Sequence, residues 1–378
     1  MSNKPLPLLP GAMLGILGGG QLGRMFTLAA RTMGYRVTVL DPDAACPAGQ
    51  MADVHLQAAY TDAAALKQLG ESCAAVTTEF ENIPAQSLTE LARHCRVAPG
   101  ANAVAIAQDR SREKSWLREH GFATAPFALI DDESSLAAAL ADVGAPALLK
   151  IARCGYDGKG QARVNSFDDA RAAFRAFGSQ PCVLESQIKL DAEISVVLAR
   201  TDTGECARFP VAENRHEHGI LDVSIVPARV PEAFVHRACD MAQAIADQLH
   251  YVGVMAVEFF ISHGQLMVNE IAPRPHNSGH YTLDACVTDQ FEQQVRALCG
   301  LPLGDTRLLS PVVMVNILGD RWHDNGPHWH TLLAHPAIKL HLYGKEAARP
   351  GRKMGHFNVL DTDVNAALRL AEHMRHAL

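Results

Sequence analysis

Two acidic residues in one apolar hairpin, Glu258 and Glu270, are the strongest chemical signal in this sequence. Residues 254–280 read VMAVEFFISHGQLMVNEIAPRPHNSGH, in which Val, Met, Phe and Ile favour strand and 262–265 favours a turn. If a three-residue loop centred on Gly264 closes the hairpin, the two acids lie opposite each other on one face. Two like charges so placed repel, and a magnesium ion would remove the conflict. The alternative is a pair of edge-strand acids that face water.

Two further segments carry donors suited to anions. Arg274, His276 and Asn277 follow the hairpin directly. Upstream, a predicted strand at 147–151 contains Lys150, and RCGYDGKGQ follows it at 153–161. Glycines and lysines in such a loop can close over a polyphosphate through backbone amides and ammonium groups, although the loop is not a Walker A motif. A flexible hairpin turn is the alternative.

Acids and cations in three other segments suit a nucleotide or a phosphate monoester. A predicted strand at 181–188 contains Glu185, whose backbone neighbourhood could bind adenine, and Glu193 in the next strand could bind ribose hydroxyls. Ordinary solvated acids are the alternative for both. Lys345 and Arg352 lie in YGKEAARPGRKMGH at 343–356, where four cations surround three glycines. This segment predicts an anion pocket, with a solvated basic loop as the alternative.

The N-terminal region carries a GxGxxG turn at 18–23 between a strand at 13–17 and a helix at 22–33. A second strand at 36–40 ends at Asp41, so the region matches the dinucleotide fingerprint. Three interpretations are open: a dinucleotide, another anion at the helix N-terminus, or glycines that only permit close packing. Further strands at 54–57, 75–78 and 96–98 predict an open parallel sheet.

Composition narrows the class of protein. The 378 residues are 48% apolar and 20% charged, which is typical of a globular chain with two or three cores. The net charge of −7 argues against a nucleic-acid binder. Nine cysteines without a CxxC pair predict reduced thiols in a cytoplasmic protein. The proline-rich start does not read as a signal peptide, and no run of about 18 apolar residues predicts a membrane span.

The order of these segments resembles the ATP-grasp ligases, and five motifs make the resemblance closer. They are GILGGGQLGRM at 15–25, TTEFENIP at 77–84, GYDGKGQ at 155–161, NEIAPRPHNSGHYT at 269–282, and HLYGK with RPGRKMGH at 341–356. Together they resemble the N5-carboxyaminoimidazole ribonucleotide synthase family of purine biosynthesis. The resemblance implies an α/β and α+β chain with three domains. These are a Rossmann-like domain at 11–108, an ATP-grasp domain at 109–305 (lid at about 121–186, large subdomain at about 187–305), and a small C-terminal domain at 306–378.

The resemblance implies a carbon-nitrogen ligase that uses ATP, bicarbonate and 5-aminoimidazole ribonucleotide, and that forms carboxyphosphate as an intermediate. It also implies two magnesium ions at Glu258 and Glu270, and a homodimer. A formate-dependent glycinamide ribonucleotide transformylase is an alternative within the superfamily. A nicotinamide-dependent Rossmann dehydrogenase and a non-catalytic nucleotide sensor are alternatives from other classes.

The same resemblance assigns roles to individual residues. ATP-binding residues are Arg110, Lys150, Gly155, Tyr156, Asp157, Gly158, Lys159, Gly160, Gln161, Glu185, Ser186, Gln187, Ile188, Glu193, His216, Asn269 and Glu270. Catalytic residues are Arg274, His276, Asn277 and Asp157. Substrate-binding residues are Gly20, Gln21, Tyr156, Lys345, Arg352 and one or both of Glu79 and Glu81. In this family the GxGxxG turn serves the substrate, so the resemblance argues against a dinucleotide.

Overall fold

The computed structural model describes residues 6–155, 158–322 and 326–378, and it contains three sheets. The first sheet is parallel, with strand order β3-β2-β1-β4-β5. Its strands are β1 (Met13–Leu17), β2 (Arg36–Leu40), β3 (Val54–Leu56), β4 (Ala75–Thr78) and β5 (Arg96–Val97). Its helices are α1 (Gln21–Thr32), α2 (Ala63–Ser72), α3 (Ala85–Leu91) and α4 (Ala101–Ala107). The prediction of an open parallel sheet is confirmed.

The glycine turn lets α1 approach β1 closely. A Cβ atom on Gly23 would lie only 2.5 Å from the carbonyl oxygen of Gly18, so no larger side chain fits without movement. On one face of this sheet, Phe291 and Leu298 from a later helix join Leu14 and Phe26 in a common core. This core fixes the first sheet against the centre of the molecule.

A four-stranded antiparallel sheet follows, with strand order β6-β9-β7-β8. Helix α5 (Arg110–Glu119) leads into it. Its elements are β6 (Phe127–Ile130), α6 (Leu136–Val143), β7 (Ala147–Ile151), β8 (Gln161–Val164), α7 (Phe167–Ala176) and β9 (Cys182–Ser186). Helices α6 and α7 contribute Leu136, Ala170 and Phe174 to a separate core with the strands. The glycine-rich loop joins β7 to β8 and therefore lies at one end of this sheet.

The third sheet has nine strands and order β15-β14-β10-β12-β13-β16-β18-β17, with β11 paired to β10. Its strands are β10 (Ala192–Arg200), β11 (Cys206–Arg208), β12 (Ala212–Glu217), β13 (Ile220–Val226), β14 (Gly253–Ser262), β15 (Gln265–Ala272), β16 (Val312–Leu318), β17 (Ile338–Leu342) and β18 (Lys353–Leu360). Its helices are α8 (Glu232–Gln248), α9 (Thr282–Ala285), α10 (Gln290–Cys299), α11 (Trp329–Leu333) and α12 (Val364–Ala377). The C-terminal strands thus continue the sheet that contains the acidic hairpin.

The hairpin pairs Glu258 with Glu270, but not through the predicted loop. Ser262 pairs with Gln265, so the turn has two residues rather than three. A two-residue turn would place Glu258 opposite Asn269. The register shifts between Glu258 and Phe259, and this bulge leaves Asn269 without a partner and brings Glu270 opposite Glu258. The prediction of a three-residue loop was therefore wrong, while the pairing follows from the bulge.

A second prediction also needs correction. The apolar spacing from 283 to 298 predicts one helix, but the structure contains two, α9 and α10, joined by an extended segment. Asp289 ends that segment, because its side chain accepts hydrogen bonds from the backbone N–H groups of Phe291 and Glu292 and so caps α10. Among the described residues, no helix has the length and apolar content needed to cross a membrane.

Candidate functional site

A cavity of about 910 Å³ lies where the three sheets meet. Among the predicted site residues, those that line it are Gly20, Gln21, Glu79, Glu81, Arg110, Lys150, Gly155, Gly158, Lys159, Gln161, Glu193, His216, Glu258, Asn269, Glu270, Arg274, His276, Asn277, Lys345 and Arg352. Gly160 and residues 185–188 are not in the lining formed by described residues. Tyr156 and Asp157 lie outside the described residues. The fold thus brings most of the predicted residues to one place.

The paired carboxylates differ in environment. The Glu258 side chain is 10% exposed, and burial followed by the charge of Glu270 raises its pKa to about 7. The Glu270 side chain is 34% exposed, and Arg110 Nη1 lies 3.1 Å from its Oε2. Burial alone would raise the pKa of Glu270, but Arg110 and then Lys150 outweigh it, so the pKa lies below its ordinary value. Among the described residues, Glu270 therefore has a cationic partner at 3.1 Å, and Glu258 has none as close.

Helix α5 holds the bulge that aligns these carboxylates. Lys114 Nζ donates to the carbonyl oxygen of Asn269 at 2.8 Å, and the backbone N–H of Ile271 donates to the Glu113 carboxylate. Arg110 lies on the same helix, at the i, i+3 and i+4 spacing that places all three on one face. Sequence analysis predicted no role for Glu113 or Lys114. Charged residues at this spacing were the available signal, but a solvated helix face gives the same pattern.

Glu185 serves the site through its carboxylate. Its Oε2 lies 3.0 Å from Lys150 Nζ and 3.6 Å from Lys114 Nζ. Burial opposes ionisation of Glu185, yet the two lysines lower its pKa to about 2. Burial also lowers the pKa of Lys150. The carboxylate therefore fixes the direction of Lys150, whereas the predicted adenine contact concerned only the backbone of this segment.

His216 forms a second charged pair in the cavity. Its Nδ1 lies 2.8 Å from Glu193 Oε2. Burial lowers the pKa of the imidazole, but the close carboxylate of Glu193 and the nearby charge of Glu258 raise it to about 9. His216 is therefore a cation near neutral pH, which suits a negatively charged ligand.

The segment after the hairpin connects to the first sheet. Arg274 Nε donates to Glu81 Oε2 at 2.5 Å. Burial would raise the pKa of the Glu81 carboxyl, but Arg274 outweighs burial and lowers it. Asn277 exchanges two hydrogen bonds with Asn316, of 3.0 and 2.7 Å, so its amide is held by the neighbouring strand β16. Arg274 thus presents a fixed guanidinium at the cavity.

The helix end at the GxGxxG turn is occupied by carboxylates of the protein itself. Glu79 accepts from the backbone N–H groups of Gly20 and Leu22, and Asp41 Oδ2 accepts from that of Gly19 at 2.6 Å. Burial raises the pKa of Glu79, and these amide hydrogen bonds lower it in part. Glu79 and Glu81, which sequence analysis could not distinguish, therefore have different roles: Glu79 closes the turn, and Glu81 holds Arg274. This geometry does not favour the expectation that the turn amides bind a dinucleotide.

The basic segment bridges the first and third sheets. Lys345 Nζ donates to Gln21 Oε1 at 2.5 Å and to the carbonyl oxygen of Lys353 at 2.7 Å. Arg352 Nη1 donates to the carbonyl oxygen of Ala347 at 2.7 Å. Both cations line the same cavity as Gln21 and Glu79. The segment is therefore not simply a solvated loop.

The donor set fits magnesium. Among the described residues, no three His, Cys, Asp or Glu side chains are grouped as a complete metal site. Magnesium does not need such a group, since it takes one or two carboxylates and completes its shell with phosphate oxygens and water. Glu258 and Glu270 supply the carboxylates, and the raised pKa of Glu258 marks a charge that a cation would compensate.

Comparison with known proteins gives consistent matches along the chain. The ATP-grasp domain model matches residues 115–291, the ribonucleotide synthetase preATP-grasp domain model matches 12–108, and the phosphoribosylaminoimidazole carboxylase C-terminal domain model matches 312–370. The N5-carboxyaminoimidazole ribonucleotide synthase of Bacillus subtilis is 44% identical, over 93% of this chain and 92% of the relative. That of Brucella melitensis is 46% identical, over 92% and 96%.

Solved structures agree. An ADP complex of an N5-carboxyaminoimidazole ribonucleotide synthetase superposes with a TM-score of 0.93 at 44% identity, covering 99% of this chain and 98% of that one. An enzyme of this name from Aspergillus clavatus, in complex with ADP and 5-aminoimidazole ribonucleotide, gives 0.90 at 31% identity, covering 98% and 99%. The similarity therefore covers all three sheets.

The two carboxylates should respond oppositely to neutralisation. In metal-free protein at pH 8, Glu258→Gln should raise the free energy of unfolding by on the order of 2 kcal/mol, because it removes a buried charge whose folded pKa exceeds its unfolded value. Glu270→Gln should lower that free energy, because Arg110 loses its partner. Thermal unfolding measures both.

The pH dependence provides the control for this pair. Below its unfolded pKa, Glu258 is protonated in both the folded and the unfolded state. The increase in the free energy of unfolding caused by Glu258→Gln should therefore be complete above about pH 7 and shrink toward pH 4.5. Destabilisation by both variants at pH 8 would contradict the assigned electrostatics.

Proposed function

The chain belongs to the N5-carboxyaminoimidazole ribonucleotide synthase family of ATP-grasp ligases, and we propose that it carboxylates 5-aminoimidazole ribonucleotide with ATP and bicarbonate. The products are N5-carboxyaminoimidazole ribonucleotide, ADP and phosphate, in purine biosynthesis. One observation carries the proposal: a single cavity contains the paired carboxylates, the fixed Arg274 and the basic segment. A triphosphate, a carboxylated intermediate and a ribonucleotide phosphate can therefore lie in succession.

The nucleotide end of the cavity is formed by the second and third sheets. Lys150, held by Glu185, and the amides of the glycine-rich loop suit the phosphates, and Arg110 and His216 add positive charge. Glu193 lies beside His216, and its carboxylate suits ribose hydroxyls. Magnesium ions bound by Glu258 and Glu270 would neutralise charge on the β- and γ-phosphates during phosphoryl transfer.

A bicarbonate oxygen attacks the γ-phosphorus of ATP, the bond from that phosphorus to the β–γ bridging oxygen breaks, and carboxyphosphate and ADP form. Arg274 and His276 line the cavity beside the paired carboxylates, where a guanidinium and an imidazole can hold this anion. Carboxyphosphate hydrolyses readily, so the glycine-rich loop has to exclude water before the anion forms. We infer that Tyr156 and Asp157, in that loop, lie near the aminoimidazole ring.

The ribonucleotide end is formed by the first sheet and the basic segment. Lys345 and Arg352 suit the 5′-phosphate, with Gln21 and Gly20 on the facing wall. The amine nitrogen forms a bond to the carboxyl carbon of carboxyphosphate, the bond from that carbon to the phosphate oxygen breaks, and the released phosphate takes the amine proton.

Assembly, location and domain limits belong to the same proposal. We infer domains at 11–108, 109–305 and 306–378, a homodimer, and a cytoplasmic location. Nine cysteines without a disulfide support a reducing compartment. The ranges matched by the three family models support the domain limits.

An omission assay tests the reaction. ADP release should be rapid only when ATP, magnesium, bicarbonate and 5-aminoimidazole ribonucleotide are all present, and should fall to background when any one is left out. Formate and glycinamide ribonucleotide should not replace bicarbonate and 5-aminoimidazole ribonucleotide. ADP release that depends on formate instead of bicarbonate would support the transformylase alternative. NADH binding without ATP binding would support the dehydrogenase.

The basic segment should act on the ribonucleotide alone. Arg352→Ala should raise the KM for 5-aminoimidazole ribonucleotide roughly tenfold or more, through loss of a charge-assisted contact, and should leave the KM for ATP nearly unchanged. Arg307→Ala, which removes an exposed cation paired with Asp305, is the control and should change neither. Equal increases in both KM values for Arg352→Ala would show that the segment is structural.

A further inference from the structure

A row of buried hydrogen bonds ends on the imidazole of His276. Ser224 Oγ lies 2.8 Å from Asn214 Oδ1, Asn214 Nδ2 lies 2.9 Å from Ser195 Oγ, and Ser195 Oγ lies 2.7 Å from Ser278 Oγ. Ser278 Oγ then lies 2.9 Å from His276 Nδ1. The three serines are fully buried and Asn214 is 5% exposed. We call these four residues the Ser–Asn network.

The direction of every bond in the network follows from one backbone group. The N–H of Ser278 donates to His276 Nδ1 at 3.3 Å, so that nitrogen is an acceptor and carries no proton. The Ser278 hydroxyl must then donate to the same nitrogen. Its oxygen accepts from the Ser195 hydroxyl, which accepts from the Asn214 amide, whose carbonyl oxygen accepts from the Ser224 hydroxyl.

An imidazole with an unprotonated Nδ1 carries its proton on Nε2. In His276 this nitrogen faces the cavity and lies 3.6 Å from Glu258 Oε1. We propose that the Ser–Asn network fixes His276 as a hydrogen-bond donor toward the cavity. The network residues are positioning residues, and His276 donates to an oxygen of the carboxylated anion instead of removing the proton of the amine.

The fold explains why these residues can act together. Ser195, Asn214 and Ser224 lie on the adjacent strands β10, β12 and β13, and Asn214 pairs directly with Ser224. Ser195 also pairs with Glu258 on the other neighbouring strand, β14. The network therefore starts inside the sheet that carries the paired carboxylates and ends beside them, so the imidazole and Glu258 are positioned by the same strands.

The role of the donor rests on the proposed function, but the tautomer does not, so it is measured first and without substrate. In protein labelled with ¹⁵N-histidine, His276→Gln identifies the resonances of His276 by their loss. The expected wild-type spectrum has an unprotonated Nδ1 and a protonated Nε2. A proton on Nδ1, or averaged shifts of two exchanging tautomers, would overturn the proposal whatever the substrate is.

Serine-to-alanine variants then test the network. Ser278→Ala removes the 2.9 Å hydroxyl hydrogen bond and leaves only the longer 3.3 Å backbone hydrogen bond on Nδ1. It should therefore lower kcat for ADP release about tenfold or more and introduce the second tautomer, whereas Ser195→Ala and Ser224→Ala should have successively smaller effects. Ser262→Ala is the control, because Ser262 is buried on β14 and its hydroxyl donates to the carbonyl oxygen of Lys189, outside the network.

The smaller effect on kcat at each step away from His276 distinguishes a positioning role of the network from a role in stability. Loss of kcat that follows only the loss of thermal stability, equally in the four variants, would overturn the proposal. If Ser278→Ala does not fold, the wild-type tautomer and the Ser195→Ala spectrum still decide. Activity with a different acceptor but an Nε2–H tautomer would refute the proposed function and leave the positioning inference intact.

Discussion

The structure depends on keeping two carboxylates opposite each other in a largely buried place. Repulsion between Glu258 and Glu270 would drive them apart if the strand pairing were free to slip. The bulge at Asn269 sets the pairing, and helix α5 holds the bulge through Lys114 and Glu113. The fold thus maintains a local conflict of charge that a cation relieves, which is typical of sites that bind metal and phosphate together.

Fixed charges extend from this pair in both directions. Toward the nucleotide end, Lys114 and Lys150 share the carboxylate of Glu185, so two lysines remain ordered in a buried region. Toward the ribonucleotide end, Arg274 is held by Glu81 from the first sheet. Arg110, Lys150 and Arg274 each have a carboxylate within 3.1 Å. This arrangement limits reorganisation when ligands bind, which is the property that makes electrostatic catalysis effective.

Sequence reasoning identified segments that meet at one cavity where a residue type and its neighbours carried the signal. The acidic hairpin, the glycine-rich loop with Lys150 and the basic segment all reach the cavity. Sequence reasoning failed where strand pairing or a long-range contact decides the position of a residue. The bulge at Asn269 leaves no local pattern, and the occupancy of the helix end by Glu79 depends on a contact across 59 residues. The charged sequence of helix α5 has the pattern of a solvated helix face, and the burial of Lys114 comes only from tertiary packing.

The most direct test is the position of a divalent cation. Crystals grown with Mn²⁺ in place of magnesium and with a non-hydrolysable ATP analogue would locate the metal by its anomalous scattering. The account predicts the strongest peak between the carboxylates of Glu258 and Glu270, within coordination distance of both and of the phosphate oxygens. A metal bound to the triphosphate but in contact with neither carboxylate would contradict it.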